Sequence, residues 1–444
     1  MSDNTILPGT GELYAAEDQG GVKFQKVLIG ASNSAAIDAF GRWRTSEPNT
    51  LFDSKLLHGD SQDLFWDEEL ESGTMATAGP TAAKPFIDFT SSDTTAGQRT
   101  RQTFQRFNYQ PGKSQLILMT GVLELASGTK TGCERRIGPF DNDNGVFFAS
   151  NEGVIQVVVR TKDTGSPVDN EIDKANWNLD VMDGSDSTSN PSHHTLDATK
   201  AQIFVFDFQW LSAGRVRFGI EIGGRIHYVH EFNAANILAV PWASTPNLPL
   251  RYQIITTTSS GVCSMRCICA AVISEGGINE RGPIRYRSTA GAVLVTDTEN
   301  ELFCLIALRL KATHLGAHIR VVDVQLQIQT AGESLEWVLV HGTKNDVITV
   351  GGSLTYADLA NSALQTALGA TANDISGGTE VGGGFLETGN NAQGAASDGG
   401  IVPSTLTLGA AVDGTRSELM LAVRPNGGVS AMEVEGSITW QEID

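Results

Sequence analysis

The chain has no dense run of basic residues. Its 31 Lys and Arg are outnumbered by 51 Asp and Glu, a net charge of −20. Such a surface repels a phosphate backbone, so direct nucleic-acid binding is not expected. Long apolar runs are absent too. No stretch of 18 or more continuously apolar residues occurs, so no membrane span is expected. The opening MSDNTILPGTGELYAAEDQGG has no basic segment followed by an apolar core, so no signal peptide is expected. Cysteine is scarce and odd in number: Cys133, Cys263, Cys267, Cys269 and Cys304. Loose spacing argues against a disulfide framework. Cys263, Cys267 and Cys269 lie in the apolar run VCSMRCICAAVI. They read as buried free thiols from a reducing compartment, because a zinc site would lack a fourth ligand. Nucleophile-elbow, P-loop, dinucleotide-loop and zincin motifs are all missing. Neither a metal nor another cofactor is expected.

Charge is also low, at 18% of residues against 40% apolar, with 48 glycines. This composition supports real cores and many tight turns. Alternation is the dominant pattern. In AQIFVFDFQWL, Phe204, Phe206 and Phe208 share one face and Ile203, Val205 and Asp207 the other. RVRFGIEIGGRIHYVHEF predicts a hairpin turning at Gly223-Gly224. GVFFAS, GVIQVVVR, LRYQIITTTS and MRCICAAVIS add further strands. The expectation is an all-β fold: a jelly-roll β-sandwich over 101–280, then a second β domain over 281–444.

Two segments stand apart. Residues 1–100 have little periodicity beyond one short strand in GVKFQKVLIG. They carry Trp43, Phe52, Phe65 and Trp66 in turn-rich sequence. They read as an attachment arm whose aromatics need a neighbouring surface, which favours a homo-oligomer. Residues 369–402 are rich in Gly, Asn, Ala and Ser and read as a long exposed loop. Just before them, LTYADLANSALQTALG is the place for a modest helix.

Several constellations invite chemistry. DNDNG at 141–145, with Glu152 beyond, has the spacing of a calcium loop but Val146 where glycine is needed; it also makes a good turn. His227 and His230 fall on opposite faces of a strand. His193-His194 has no evident partner, and His314 and His318 flank Gly316. Glu221 with Glu231, or Asp207 with Glu221, are candidate carboxylate pairs for a glycosidase, which needs both in one cleft. Arg135, Arg136, Arg215 and Arg217 are candidates for pairing with acids at a subunit contact, or for solvent-facing strand positions.

AFGRWRTSEPNTLFDSK, GCERRIGPFDNDNGVFF, FQWLSAGRVRFGIEIGGRIHYVHEFNAAN, PWASTPNLPLRYQI and CAAVISEGG form an ordered series over roughly residues 35–280. As a series it resembles a group of structural proteins of tailed bacteriophages, capsid-associated or tail proteins. The resemblance implies a lectin-type jelly roll and a non-catalytic virion component, most often trimeric, with capsid or tail proteins as partners. Trp43, Phe52, Phe65, Trp66 and the four arginines are then the interface candidates. The alternatives are a module that binds a host surface glycan and a glycan-cleaving enzyme.

Overall fold

A computed structural model of the chain describes residues 36–45, 47–57, 64–81, 84–91, 95–125, 131–257, 262–277, 281–296, 301–388 (backbone alone for 369–373), 408–426 and 431–443. It also describes the backbone of strands Asn4–Ile6, Leu13–Gln19 and Val22–Gln25, a small antiparallel sheet, and of Gly394–Gly399. The architecture is all-β, a β-sandwich followed along the chain by a second β unit.

The first unit packs two antiparallel sheets. One has seven strands in the order Val168–Asp173, Val154–Thr161, Gly145–Asn151, Cys133–Pro139, Leu250–Thr256, Gly97–Thr103 and Trp66–Ser72. The other has eight. Its path runs Arg225–Asn233, Arg215–Ile222, Gln202–Phe208, Gln115–Val122, Ser264–Ser274, Ile87–Ser91 and Met75–Ala78, and Asn49–Lys55 pairs with Ser264–Ser274. The alternation in QIFVFDF decides how the layers meet. Phe204, Phe206 and Phe208 enter the core, where Phe148 from the opposite sheet meets Phe204, Phe206 and Phe218 at 5.0, 5.6 and 5.6 Å between ring centroids. The hairpin turns at Gly223 and Gly224, both at positive φ (64° and 79°), as a tight turn of this hand requires.

The second unit is a twelve-stranded sheet curled round one core. Trp337, Leu339, Leu305 and Leu421 from one side meet Val324, Leu326, Ile438 and Trp440 from the other. Leu302–Leu310 buries both its faces by means of a bulge between Cys304 and Ile306. Leu302 and Cys304 point outward to a second small core; Ile306 and Leu308 point inward.

Three expectations need correction. The arm is not an arm over its latter half: residues 49–103 supply strands to both sheets of the first unit. Trp66 is buried against Tyr252, and Phe52 and Phe65 pack on the same core. Irregular spacing hid these strands because bulges and turns break their alternation, as at Leu70/Ser72. The expected helix is strand, chiefly Leu364–Ser376, which pairs along Leu302–Leu310; tertiary pairing overrides the helix preference of its Ala and Leu. The long loop is largely strand as well, in Leu364–Ser376, Thr379–Glu387 and Gly394–Gly399. Its glycines have a packing reason: a Cβ on Gly384 would stand 2.8 Å from the Trp337 indole nitrogen. Residues 389–393 and 400–402 lie outside the described residues.

The cysteines divide differently from the expectation. Cys133 and Cys263 form a disulfide between the two sheets, with Cα atoms 6.5 Å apart and 130 residues between them in sequence. Cys267, Cys269 and Cys304 are free. The disulfide removes the reason for expecting a reducing compartment. Burial pushes the Cys304 thiol up to about 12, so it is unreactive.

The two units are joined by specific contacts. The Asn345 side chain donates to the Trp66 carbonyl (3.0 Å), and the Val412 N–H donates to the Asp67 carboxylate (2.8 Å). The Ala410 N–H donates to the Phe104 carbonyl (3.0 Å). Lys344 sits among Asp67, Glu69 and Asp413.

Deleting residues 1–100 is therefore expected to abolish folding of the first unit. It removes Leu56, Trp66, Ile87 and Phe89, all buried in that unit's core. Burial of such side chains is worth about 1.5–3 kcal/mol each, together comparable with a whole domain's stability. By circular dichroism the truncated chain should lose the first unit's share of the β signal. A truncated chain that keeps residues 101–280 in folded β structure would return the arm to its independent status.

Candidate functional site

The outer faces of the first sandwich differ. On the eight-stranded sheet, alternation turns Asp207 outward, and Arg217 lies beside it in register. Both are fully buried, because residues 36–45 lie across this face. Asp207 accepts hydrogen bonds from Arg44 (2.5 Å), Ser114 (2.6 Å), Tyr228 (2.7 Å) and Arg217. Arg217 also donates to the Ile37 carbonyl (2.7 Å) and lies 4.0 Å over the Tyr228 ring. Arg215 reaches the Ala39 carbonyl (3.1 Å) and Glu231 (3.2 Å). Burial, then the Asp207 charge, holds the Tyr228 phenol well above its ordinary range. This face is closed by its own chain.

The outer face of the seven-stranded sheet carries a groove in which Gln253 and Arg160 are themselves buried. Gly97–Thr103, Leu250–Thr256, Cys133–Pro139 and Val154–Thr161 present Gln98, Gln253, Arg136 and Arg160. With Asn142 and Asp169 these line a groove of about 390 Å³. Each cation is held in place. Arg160 makes a two-pronged contact with Asp169 (2.7 and 2.8 Å), and Arg136 does so with Glu134 (2.5 and 2.9 Å). Arg136 also donates to Gln253 (3.2 Å), which donates to Thr100 (2.9 Å). Beneath them Phe140 and Phe147 form a small apolar floor, 4.5 Å between centroids. Arg136 and Arg160 lie over the Phe147 ring at 5.4 and 5.2 Å. Alongside, Arg251 donates to Asn142 (2.6 Å), and burial pulls its guanidinium down to about 10. At the edge strand the Glu171 carboxyl is raised, first by partial loss of hydration and then by Glu134 and Asp169, with Arg136 opposing. The array is a rigid row of paired donors and acceptors on neighbouring strands.

The expected interface residues scatter. Trp43 is 49% exposed. Trp66, Arg135 and Arg217 are buried within the chain; the Arg135 Nε donates to the Ser264 carbonyl (3.0 Å). Arg215 is spent on residues 36–45, and Arg136 belongs to the groove. The carboxylate pairs do not converge. Asp207 is buried; Glu221 accepts from the Gly224 N–H in its own turn (2.5 Å); Glu231 pairs with Arg215. DNDNG is a turn in which Asp141 accepts from the Asp143 and Asn144 N–H groups, both 2.9 Å. His194 meets His227 edge-on at 5.0 Å. Among the described residues no group of three His, Cys, Asp or Glu is placed to hold a metal, and no helix is long and apolar enough to cross a membrane. Sequence reasoning missed Arg160, Gln253, Asn142, Asp169 and Gln98. Alternation in VIQVVVR and LRYQI places Arg160 and Gln253 on outward faces, but only strand order makes them neighbours.

No protein-family model matches the sequence, and no curated protein is significantly similar to it. Solved structures are similar at the level of architecture. An endo-1,3-β-glucanase from Streptomyces sioyaensis shares 9% identity at a TM-score of 0.34, covering 52% of this chain and 98% of its own. The Emp47p carbohydrate recognition domain shares 8% at 0.32, covering 53% and 99%. A carbohydrate esterase from Shiga toxin-encoding bacteriophage phi24B shares 9% at 0.28, covering 51% and 99%. What this chain shares with them is the β-sandwich architecture. The expected membership among phage virion structural proteins is corrected, and with it the virion location and the capsid or tail partners. The neighbours are glucan-cleaving enzymes, carbohydrate recognition domains and an esterase. The expectation of a non-enzyme is corrected on the same finding. The trimer loses its motive, since Phe52, Phe65 and Trp66 are covered within the chain.

The buried ion cluster yields a stability prediction. Asp207→Ala leaves Arg217 charged and unpaired, a loss of about 3–5 kcal/mol. The double variant Asp207→Leu/Arg217→Met should lose less than the single one. Urea unfolding measures both, and a single variant within about 1 kcal/mol of the parent would contradict the assignment.

Proposed function

We propose that the chain is a saccharide-binding β protein whose ligand lies in the groove on the outer face of the seven-stranded sheet. The observation that supports this reading is the row Gln98, Gln253, Arg136, Arg160, Asp169 and Asn142. Neighbouring hydroxyls on a sugar ring each donate and accept, at a spacing that planar amides and guanidinium–carboxylate pairs match two at a time. The groove supplies both kinds of partner chiefly from strands, Asn142 in its turn excepted, so little entropy is lost on fixing them. Its two arginines, Arg136 and Arg160, favour a saccharide with electronegative oxygens against the negative charge of the chain as a whole. Calorimetric titration with linear hexamers of β-1,3-glucose, mannose and a uronic acid tests the reading. At least one should bind. Arg160→Ala should weaken it about tenfold or more, the cost of one charged hydrogen-bonding partner. Unchanged affinity in a folded variant would contradict the site.

A second reading has its own observation. Glu171 stands at the groove edge with a raised pKa, beside Glu134, Asp169 and Asp173. Partial loss of hydration and the neighbouring acids shift the Glu171 carboxyl upward, the direction that suits an acid donating to a glycosidic oxygen. If the chain cleaves its ligand, new reducing ends should accumulate and Glu171→Gln should stop them. Cleavage that persists in this variant would exclude Glu171 as the acid.

A further inference from the structure

The second sandwich has an outward face that the first groove does not use. Strands Ile284–Ser288, Met432–Ile443 and His318–Ile328 lie side by side. Their register stacks like with like: Ser288 opposite Ser437 opposite Gln325, then Glu435 opposite Gln327, with Tyr286 opposite Thr439 one row on. The residues between them, Val324, Leu326, Val434 and Ile438, point into the core. The outward set lines a groove of about 460 Å³. A turn walls one end. The Thr289 N–H donates to the Gly436 carbonyl (2.9 Å), and Ala290 is held at φ 59°, a conformation that costs a residue with a Cβ. Tyr286 is 61% exposed in this groove.

We infer that this groove is a second saccharide site, for a neutral hexose oligomer, with Tyr286 as the stacking platform and Gln325, Gln327 and Glu435 as partners for its hydroxyls. The ring chemistry favours a sugar over a flat aromatic ligand. A pyranose presents a face of C–H bonds to the negative face of the phenol, while its equatorial hydroxyls point sideways to the amides. The charge argues for a neutral ligand. Glu435 is the charged side chain lining the groove, and the chain carries −20 overall, so an anionic polymer is repelled. Two sites on one chain would let a single polymer engage both, raising its apparent affinity without new contacts. The inference shares its ligand class with the proposed function and to that extent rests on it.

The test uses the full chain labelled with 3-fluorotyrosine, which has six tyrosines and so six fluorine resonances. Tyr286→Phe assigns the one of interest. The probes are the linear hexamers of β-1,3-glucose and of mannose, taken to about 10 mM to capture millimolar binding. The Tyr286 resonance should shift and saturate with at least one hexamer, equally in the parent and in Arg160→Ala. Gln325→Ala should weaken that saturation about tenfold. If Arg160→Ala abolishes all binding and the Tyr286 resonance never moves, the second site is overturned and the first groove stands. If the Tyr286 resonance titrates while Arg160→Ala changes nothing measured by calorimetry, the second site stands and the first groove falls. Silence in both measurements overturns both.

Discussion

Asp207 and Arg217 form a buried ion pair on the outer face of a sheet, and the organisation of the first sandwich follows from it. A charge that deep is tolerated only when it is paired and hydrogen-bonded. The partners come from far along the chain: Arg44, Ser114 and Tyr228 donate to Asp207, and the Ile37 carbonyl accepts from Arg217. Residues 36–45 are thereby locked across the eight-stranded sheet. That face is closed to ligands, and the opposite sheet carries the groove with a different set of arginines arranged along it.

The same contrast separates two uses of arginine. Arg135 and Arg217 are desolvated and hold the fold together. Arg136 and Arg160 are paired with carboxylates and rest on the Phe147 ring beside the groove, Arg136 partly exposed and Arg160 buried. From sequence the four expected arginines, Arg135, Arg136, Arg215 and Arg217, look alike. Burial sorts them, and burial depends on which segment covers which face.

Much of the fold was legible. Alternation placed Phe204, Phe206 and Phe208 on one face, and paired glycines placed the hairpin turn. What failed to show is non-local. Trp66 looked like an arm residue because nothing near it in sequence says that Tyr252 will be its neighbour. The strand Leu364–Ser376 looked helical because Ala and Leu carry helix preference, and only its pairing with Leu302–Leu310 decides otherwise. The groove was the least visible feature. Its residues come from positions 98 to 253, and strand order alone assembles them. Tyr286 was not singled out from sequence, since its exposure follows from which face of the sheet is turned outward.

The central claim is that the grooved face of the seven-stranded sheet is the ligand face. A crystal of the full chain soaked in the hexasaccharide that titrates most tightly tests it most directly. The account predicts sugar density across Arg136, Gln253 and Arg160, with Asp207 and Arg217 still covered by residues 36–45. Sugar density on the eight-stranded sheet, with residues 36–45 displaced from it, would contradict the account.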